Sequence, residues 1–349
     1  MLVRPKRVRT AVLCTVLLVA LVASLVFSAG TGQLQIPPDQ VLGSLLQRVG
    51  IDIFPKPAHA IGDQTLWAIR FPRVVMAMIV GAALALSGLL MQAIFGNPLA
   101  EPGVVGVSSG AALGAGICIV GGFTFLGSWT IPAMAFATGL AATLLVYFMS
   151  RAGGKTEVVT LVLTGIAVNA VGGAGIALLT FLGDTSSREQ IIFWQLGSIS
   201  GSRWPQIGII LPILLVGVLA SLWFARKLDL LSLGERNARH LGVNVERLRI
   251  CVIVLVALIV GAAVAFTGII AFVGLVVPHL MRLILGPAHL PLVLSSVLGG
   301  ALLLTLADVG ARTLVPLADL PIGMLTALIG GPFFFWLLRG ARKRAGGWG

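Results

Sequence analysis

Four histidines, three cysteines and 12 acidic residues are the groups with which this chain of 349 residues could do bond chemistry or hold a metal. Their spacing supports neither. Cys14, Cys118 and Cys251 stand alone within apolar runs, which fits small buried hydrophobes better than ligands. His59, His240, His279 and His289 are scattered, and no HExxH, no Ser/His/Asp set and no metal-ligand spacing occurs. The nearest approach to a phosphate loop is Gly154-Lys155-Thr156, with Met149 where the first glycine belongs. The chain is therefore expected to catalyse nothing itself and to hold no cofactor or metal. Two groups of charges suit recognition instead. Arg70 and Arg73 flank Pro72 as a fixed cationic pair, and with Arg312 they could clasp carboxylates in a bidentate way. Residues 225–249, ARKLDLLSLGERNARHLGVNVERLR, carry six basic and three acidic side chains (Asp229, Glu235, Glu246), and the segment is long for an ordinary connector.

The elements that must position these charges are membrane helices. Hydrophobic residues make up 58% of the chain and charged ones 10%, with mean hydropathy +1.05. Soluble domains average roughly 45–50% and 25%. Apolar runs long enough to cross a bilayer predict an all-α polytopic membrane protein, one transmembrane unit over residues 1–349, with about ten spans. The runs are 10–29, 74–95, 103–121, 129–150, 157–181, 205–224, 250–270, 273–286, 291–308 and 321–338. The eighth is short and holds Pro278, His279 and Arg282. The first is longer than a signal peptide's core and is read as a retained span. With the N-terminus inside, inner segments carry 17 Lys and Arg and outer segments seven, so both termini are expected in the cytoplasm. The same scatter explains the net charge of +12 without nucleic acid.

Residues 79–90, IVGAALALSGLL, reappear as IVGAAVAFTGII at 259–270, identical at seven of twelve positions. Pro98 and Pro278 keep the same offset of 180. The copies open spans two and seven, an odd separation, so they run oppositely through the bilayer. An inverted repeat follows, spans 2–5 (roughly 70–181) against spans 7–10 (roughly 250–339), as in many transporters. No acidic or histidine relay lies deep in the spans, so an ion-coupled secondary transporter is the weaker alternative, and energy is expected from another chain.

The run from Trp67 to Gly110 contains R-x-P-R at Arg70–Arg73, GAALALSG, and MQ-x-x-x-x-NPLAEPG from Met91 to Gly103. GERNARHLG at 234–242, GLVVPHLMR at 274–282, ADVGAR at 307–312 and LPIG at 320–323 follow in order. Together they resemble the FecCD-type permeases of bacterial ABC importers for iron chelates, heme and vitamin B12, over nearly the whole chain.

The resemblance implies a homodimer in the cytoplasmic (inner) membrane, above a dimer of cytoplasmic ATP-binding cassette ATPases and served by an extracytoplasmic binding protein. It implies that Arg70, Arg73 and Arg312 dock the binding protein, and that 225–249 forms coupling helices. There Gly234 and Gly242 punctuate the ends, Glu235 and Arg239 contribute charge, and Ala238 and Leu241 face the ATPase. The outer loop 182–204 is expected to hold a short helix at the pathway's mouth, with Phe193, Trp194, Gly197 and Ser198. Spans 5 and 10 would line the path, where Asn169 is either a polar lining residue or a helix–helix hydrogen bond. FW-x-x-GS looks more like heme permeases than vitamin B12 ones, so the expected cargo is heme or another iron chelate, with cobalamin the alternative. None of the histidines is expected to be an axial heme ligand, since a carrier must release its cargo.

Overall fold

The computed structural model describes residues 6–152, 155–315 and 318–344. Arg4 of the N-terminal basic group, Gly154 of the phosphate-loop near-miss and residues 345–349 lie outside the described residues.

All ten expected spans fall on helices. Those long enough to cross a membrane are α1 (Lys6–Gly30), α4 (Phe71–Phe95), α6 (Thr130–Met149), α7 (Val158–Leu182), α9 (Trp204–Leu231), α11 (Val245–Thr267) and α13 (His289–Thr313). Two shorter apolar helices, α5 (Val107–Gly121) and α12 (Val273–Leu285), and α14 (Ile322–Arg344), apolar over Ile322–Phe335, complete the set. Outside them lie α2 (Pro38–Gln47), α3 (Gly62–Thr65), α8 (Thr185–Leu196) and α10 (Glu235–His240). A single π turn, Leu66–Arg70, joins α3 to α4 in one continuous helical rod. The only strands among the described residues are the two-residue pair Arg151–Ala152 and Lys155–Thr156. Helices are what the bilayer demands, because each satisfies its own backbone groups where water cannot.

Helix α4 is the axle of the bundle. Its apolar window is 89% buried, against 11% for α1 and 17% for α7, and it packs on α13, α12, α11 and α9. Close packing is made by glycine. A Cβ on Gly81 would lie 2.1 Å from the Gly300 carbonyl oxygen of α13, and one on Gly88 would lie 1.8 Å from that of Gly274 in α12. Such backbone-to-backbone approach is how membrane helices gain dispersion energy without a hydrophobic driving force. Helix α4 packs on α13, and α11 packs on α6, so each half of the chain supplies partners to the other.

The two interrupted segments, 96–106 and 268–272, meet inside the bundle. Phe272 is the one non-glycine residue with positive φ (68°) among the described residues. That conformation is costly for a bulky side chain. Here it starts α12, its N–H donates to Glu101 Oε1 at 3.1 Å, and its ring packs on Gly330 of α14. The expected short eighth span is thus a 13-residue helix held at its start by a carboxylate.

Candidate functional site

Two groups of candidate residues lie at one end of the molecule and the third at the other. Arg70 and Arg312 converge on the end of α1, and Arg73 joins Arg312 at Asp308. Arg70 is buried and spends its guanidinium on backbone carbonyls: Ala29 at 2.7 Å, Gly30 at 3.0 Å, and Leu34. Arg312 donates to Ser28 Oγ at 2.6 Å and Thr31 O at 3.0 Å. It also lies 3.0 Å from Asp308 Oδ2, close enough for an ion pair but off the line of a hydrogen bond. Arg73 reaches two carboxylates, Asp308 Oδ1 at 2.9 Å and Asp319 Oδ2 at 2.7 Å. Asp308 is 1% exposed and Asp319 46%. These arginines are therefore not a free cationic rim. Arg70 and Arg312 pin the end of α1 to the π turn and α13, Arg73 ties α4 to α13, and only the Arg73–Asp319 pair reaches the surface. Asp308 escaped sequence reading, although its spacing of four from Arg312 on one helix is an ion-pair signature.

At the expected mouth, α8 is capped by Asp184, whose Oδ1 accepts from the Ser187 N–H at 2.7 Å. That hydrogen bond, with the Ser187 side chain adding to it, holds its carboxyl below the usual aspartate range. Arg188 closes the end of α7 by donating to Thr180 O at 3.0 Å and Phe181 O at 3.2 Å. Phe193 and Ser198 are exposed, Trp194 is half-buried against the main core, and Gly197 is buried. Gly197 has φ 69°, and a Cβ there would sit 2.3 Å from Ile269 O. Its neighbour Ser198 donates its N–H to Thr267 O at 2.7 Å, and Gly323 of LPIG packs on Leu196 O and Ile269 O. The Gly-Ser pair therefore ties α8 to α11 and α14 through backbone, while Phe193 presents an exposed aromatic ring. Asn169 on α7 accepts from Ser109 Oγ at 2.6 Å and donates to Gly103 O at 3.1 Å, a helix–helix bond that occupies both ends of its amide.

At the opposite end, residues 225–249 are mostly helical. Helix α9 runs to Leu231, α10 follows, and α11 begins at Val245. Gly234 (φ 100°) and Gly242 (φ 85°) bracket α10 in conformations other residues adopt at a cost. Ala238 is fully buried and anchors α10, contrary to the expectation that it faces a partner, whereas Leu241 is 58% exposed. Glu235 pairs with Arg239 at 3.2 Å and also with Arg249. Beside α10 lies a cleft of about 480 Å³ lined by Gln92, Pro98, Leu231, Gly234, Arg282 and His289. Arg282 donates to Gln92 Oε1 at 3.0 Å, and His289 Nδ1 is 2.7 Å from Asp229 Oδ1, so His289 is engaged internally. No group of three or more potential metal ligands occurs among the described residues.

The profile of the FecCD transport family matches residues 16–340. The chain belongs to the FecCD transport family. Over 286 residues it is 43% identical to the hemin transport system permease protein HmuU of Yersinia pestis, covering 80% of this chain and 84% of that one. It is 41% identical over 287 residues to the cobalamin import system permease protein BtuC of Halobacterium salinarum, covering 79% and 74%. A solved chain described as an inward-facing ABC transporter of metal-chelate type superposes with TM-score 0.82 at 33% identity, covering 94% and 98%. As a FecCD permease, the chain is a membrane-spanning subunit of an ABC importer in the heme, vitamin B12 and iron-chelate family, a family that works with ATPase and substrate-binding partners.

Proposed function

We propose that this permease carries heme, as a homodimer in a bacterial inner membrane with both termini cytoplasmic, by alternating access driven by a partner ATPase. The observation that carries the choice of cargo is the 43% identity with a hemin permease along four-fifths of the chain. The exposed Phe193 beside Trp194 on α8 suits a flat, largely apolar macrocycle. Cobalamin is the second reading, favoured by 41% identity with a cobalamin permease. The deciding experiment reconstitutes the permease with its ATPase and binding protein and supplies heme, a ferric siderophore or cobalamin. Heme is expected to stimulate hydrolysis and uptake most; stimulation by cobalamin alone would reverse the assignment.

In this reading the binding protein docks at the end where Arg73 and Asp319 reach the surface, and the ATPase meets α10 around exposed Leu241. Phe193, Trp194, Gly197 and Ser198 frame the mouth, and α7 and α14 border the path. Asp319 then acts as a placeholder carboxylate on Arg73. Asp319→Asn should tighten binding-protein docking about two- to fivefold at low salt, the scale of one exposed pair, and the gain should fade as salt screens it. Titration of the binding protein onto permease in nanodiscs measures this. Unchanged or weaker affinity would make Asp319 purely internal.

A further inference from the structure

Arg249 sits one turn into α11 with its side chain 4% exposed, and its two terminal nitrogens reach different elements. Nη2 pairs with Glu235 of α10, while Nη1 donates to Thr156 O at 2.8 Å. Thr156 belongs to the two-stranded turn between α6 and α7, paired with Arg151, and lies two residues before α7 begins. Glu246, on the same helix as Arg249, grips Thr156 from the other side. It accepts from the Thr156 N–H at 3.0 Å and from Thr156 Oγ1. It also accepts from Tyr147 Oη of α6 at 3.2 Å, with Arg151 Nε 4.0 Å away. The base of α7 is thus clamped to α11, and through the Arg249 fork to α10.

Stability is a poor explanation for this arrangement. The Glu235 side chain is 44% exposed, and a pair open to solvent contributes little. Arg249 Nε has no hydrogen-bond partner among the described residues, so the guanidinium is held by its two terminal nitrogens. What a planar fork supplies, and an apolar side chain does not, is directional connection between two separate elements.

We propose that Arg249 is a positioning residue for energy coupling. Its guanidinium makes α10 and the α6–α7 turn one mechanical unit, so that displacement of α10 by the ATPase is delivered to α7. The proposal rests on the reading that α10 meets the ATPase and α7 borders the path. Lysine keeps the buried charge yet serves as a point charge that cannot span both partners, so R249K cuts the connection while sparing the local electrostatics.

The test uses the full complex in proteoliposomes, with R249K and, at the far end of the clamp, Glu246→Gln. ATPase co-purification, ATP hydrolysis and uptake are measured together. Both variants should retain the ATPase, and uptake per ATP hydrolysed should fall about tenfold, a typical scale for coupling between sites. A merely structural role would lower uptake and hydrolysis in parallel and leave that ratio unchanged. An unchanged ratio in both variants overturns the proposal, as does loss of the ATPase from R249K, which would make Arg249 part of the docking surface. If R249K fails to insert, Glu246→Gln decides alone by the same ratio. Failure of the wild-type permease to hold the ATPase would instead sink the reading beneath the proposal.

Discussion

Gly88→Ala should leave almost no folded permease, whereas Gly208→Ala should be nearly silent. The added methyl at position 88 would lie 1.8 Å from the oxygen, 2.4 Å from the carbonyl carbon and 2.5 Å from the Cα of Gly274. All three atoms are backbone, so no rotamer change relieves the clash; α4 and α12 must separate. Separation strains two further contacts, the hydrogen bonds that Gln92 Nε2 donates to Gly274 O at 3.2 Å and Leu275 O at 3.4 Å. Overpacking by one methylene costs roughly 1–3 kcal/mol where side chains can adjust, and here they cannot. At Gly208, on α9, nothing lies within 4 Å of an added Cβ, and alanine is the better helix former. Fluorescence-detected size-exclusion of the two variants separates the cases. A monodisperse, normally melting Gly88→Ala protein would show that α4 and α12 are not packed this closely.

This crossing also marks what the sequence could reveal. Gly88 stood within the repeated motif, and the repeat predicted that its helix runs opposite to α11. Nothing in a one-dimensional pattern said that its partner would be Gly274 rather than Gly268, the equivalent glycine of the second copy. Span positions were legible because hydropathy is a local property: the ten predicted runs coincide with ten helices, down to the short α12 with its internal Pro278. The short helix of the outer loop and the helical character of residues 225–249 followed from the resemblance, and α8 and α10 are where it implied.

Long-range polar partnerships were not legible, because they join residues far apart in the chain. Arg73 and Asp308 are 235 residues apart, and Arg249 and Thr156 are 93 apart. Arginines near a span end look alike in sequence whether they face solvent or carbonyl oxygens, and only the fold shows that Arg70 is spent on the end of α1. Ala238 misled for a similar reason. A small residue in a polar loop is as compatible with tight burial as with exposure, and α10 turns that side toward the core. The segment 31–61 also gained structure from partners remote in sequence. Trp67 Nε1 donates to Ser44 Oγ of α2 at 3.0 Å, and Trp204 Nε1 donates to Trp67 O at 2.8 Å.

Asp308→Ala should be the most damaging charge substitution in the chain. Its carboxylate is buried between two guanidinium groups, Arg73 at 2.9 Å and Arg312 at 3.0 Å. Its removal leaves both side by side with one counter-charge, the half-exposed Asp319. Breaking a buried pair from one side costs roughly 3–5 kcal/mol, most of it the desolvation of the charge left behind. Arg312 would retain its bonds to Ser28 and Thr31, so its orphaning is partial, while Arg73 would lose half its partners. The loss should therefore be reduced by removing Arg73 as well. The double variant Asp308→Ala with Arg73→Met is expected to melt above the single Asp308→Ala, although it deletes one more polar side chain. That inversion is the signature of an uncompensated charge, and lost packing alone cannot produce it. Thermal unfolding of the purified permease in detergent reads both variants. If the double variant melts lower, the ion cluster stabilises by contact rather than by charge balance. In that case Arg73 would be free to exchange Asp319 for a docking carboxylate without cost to the bundle. If it melts higher, Asp308 is the fixed counter-ion of Arg73, and the docking proposed at Arg73 would have to proceed with Asp308 still in place.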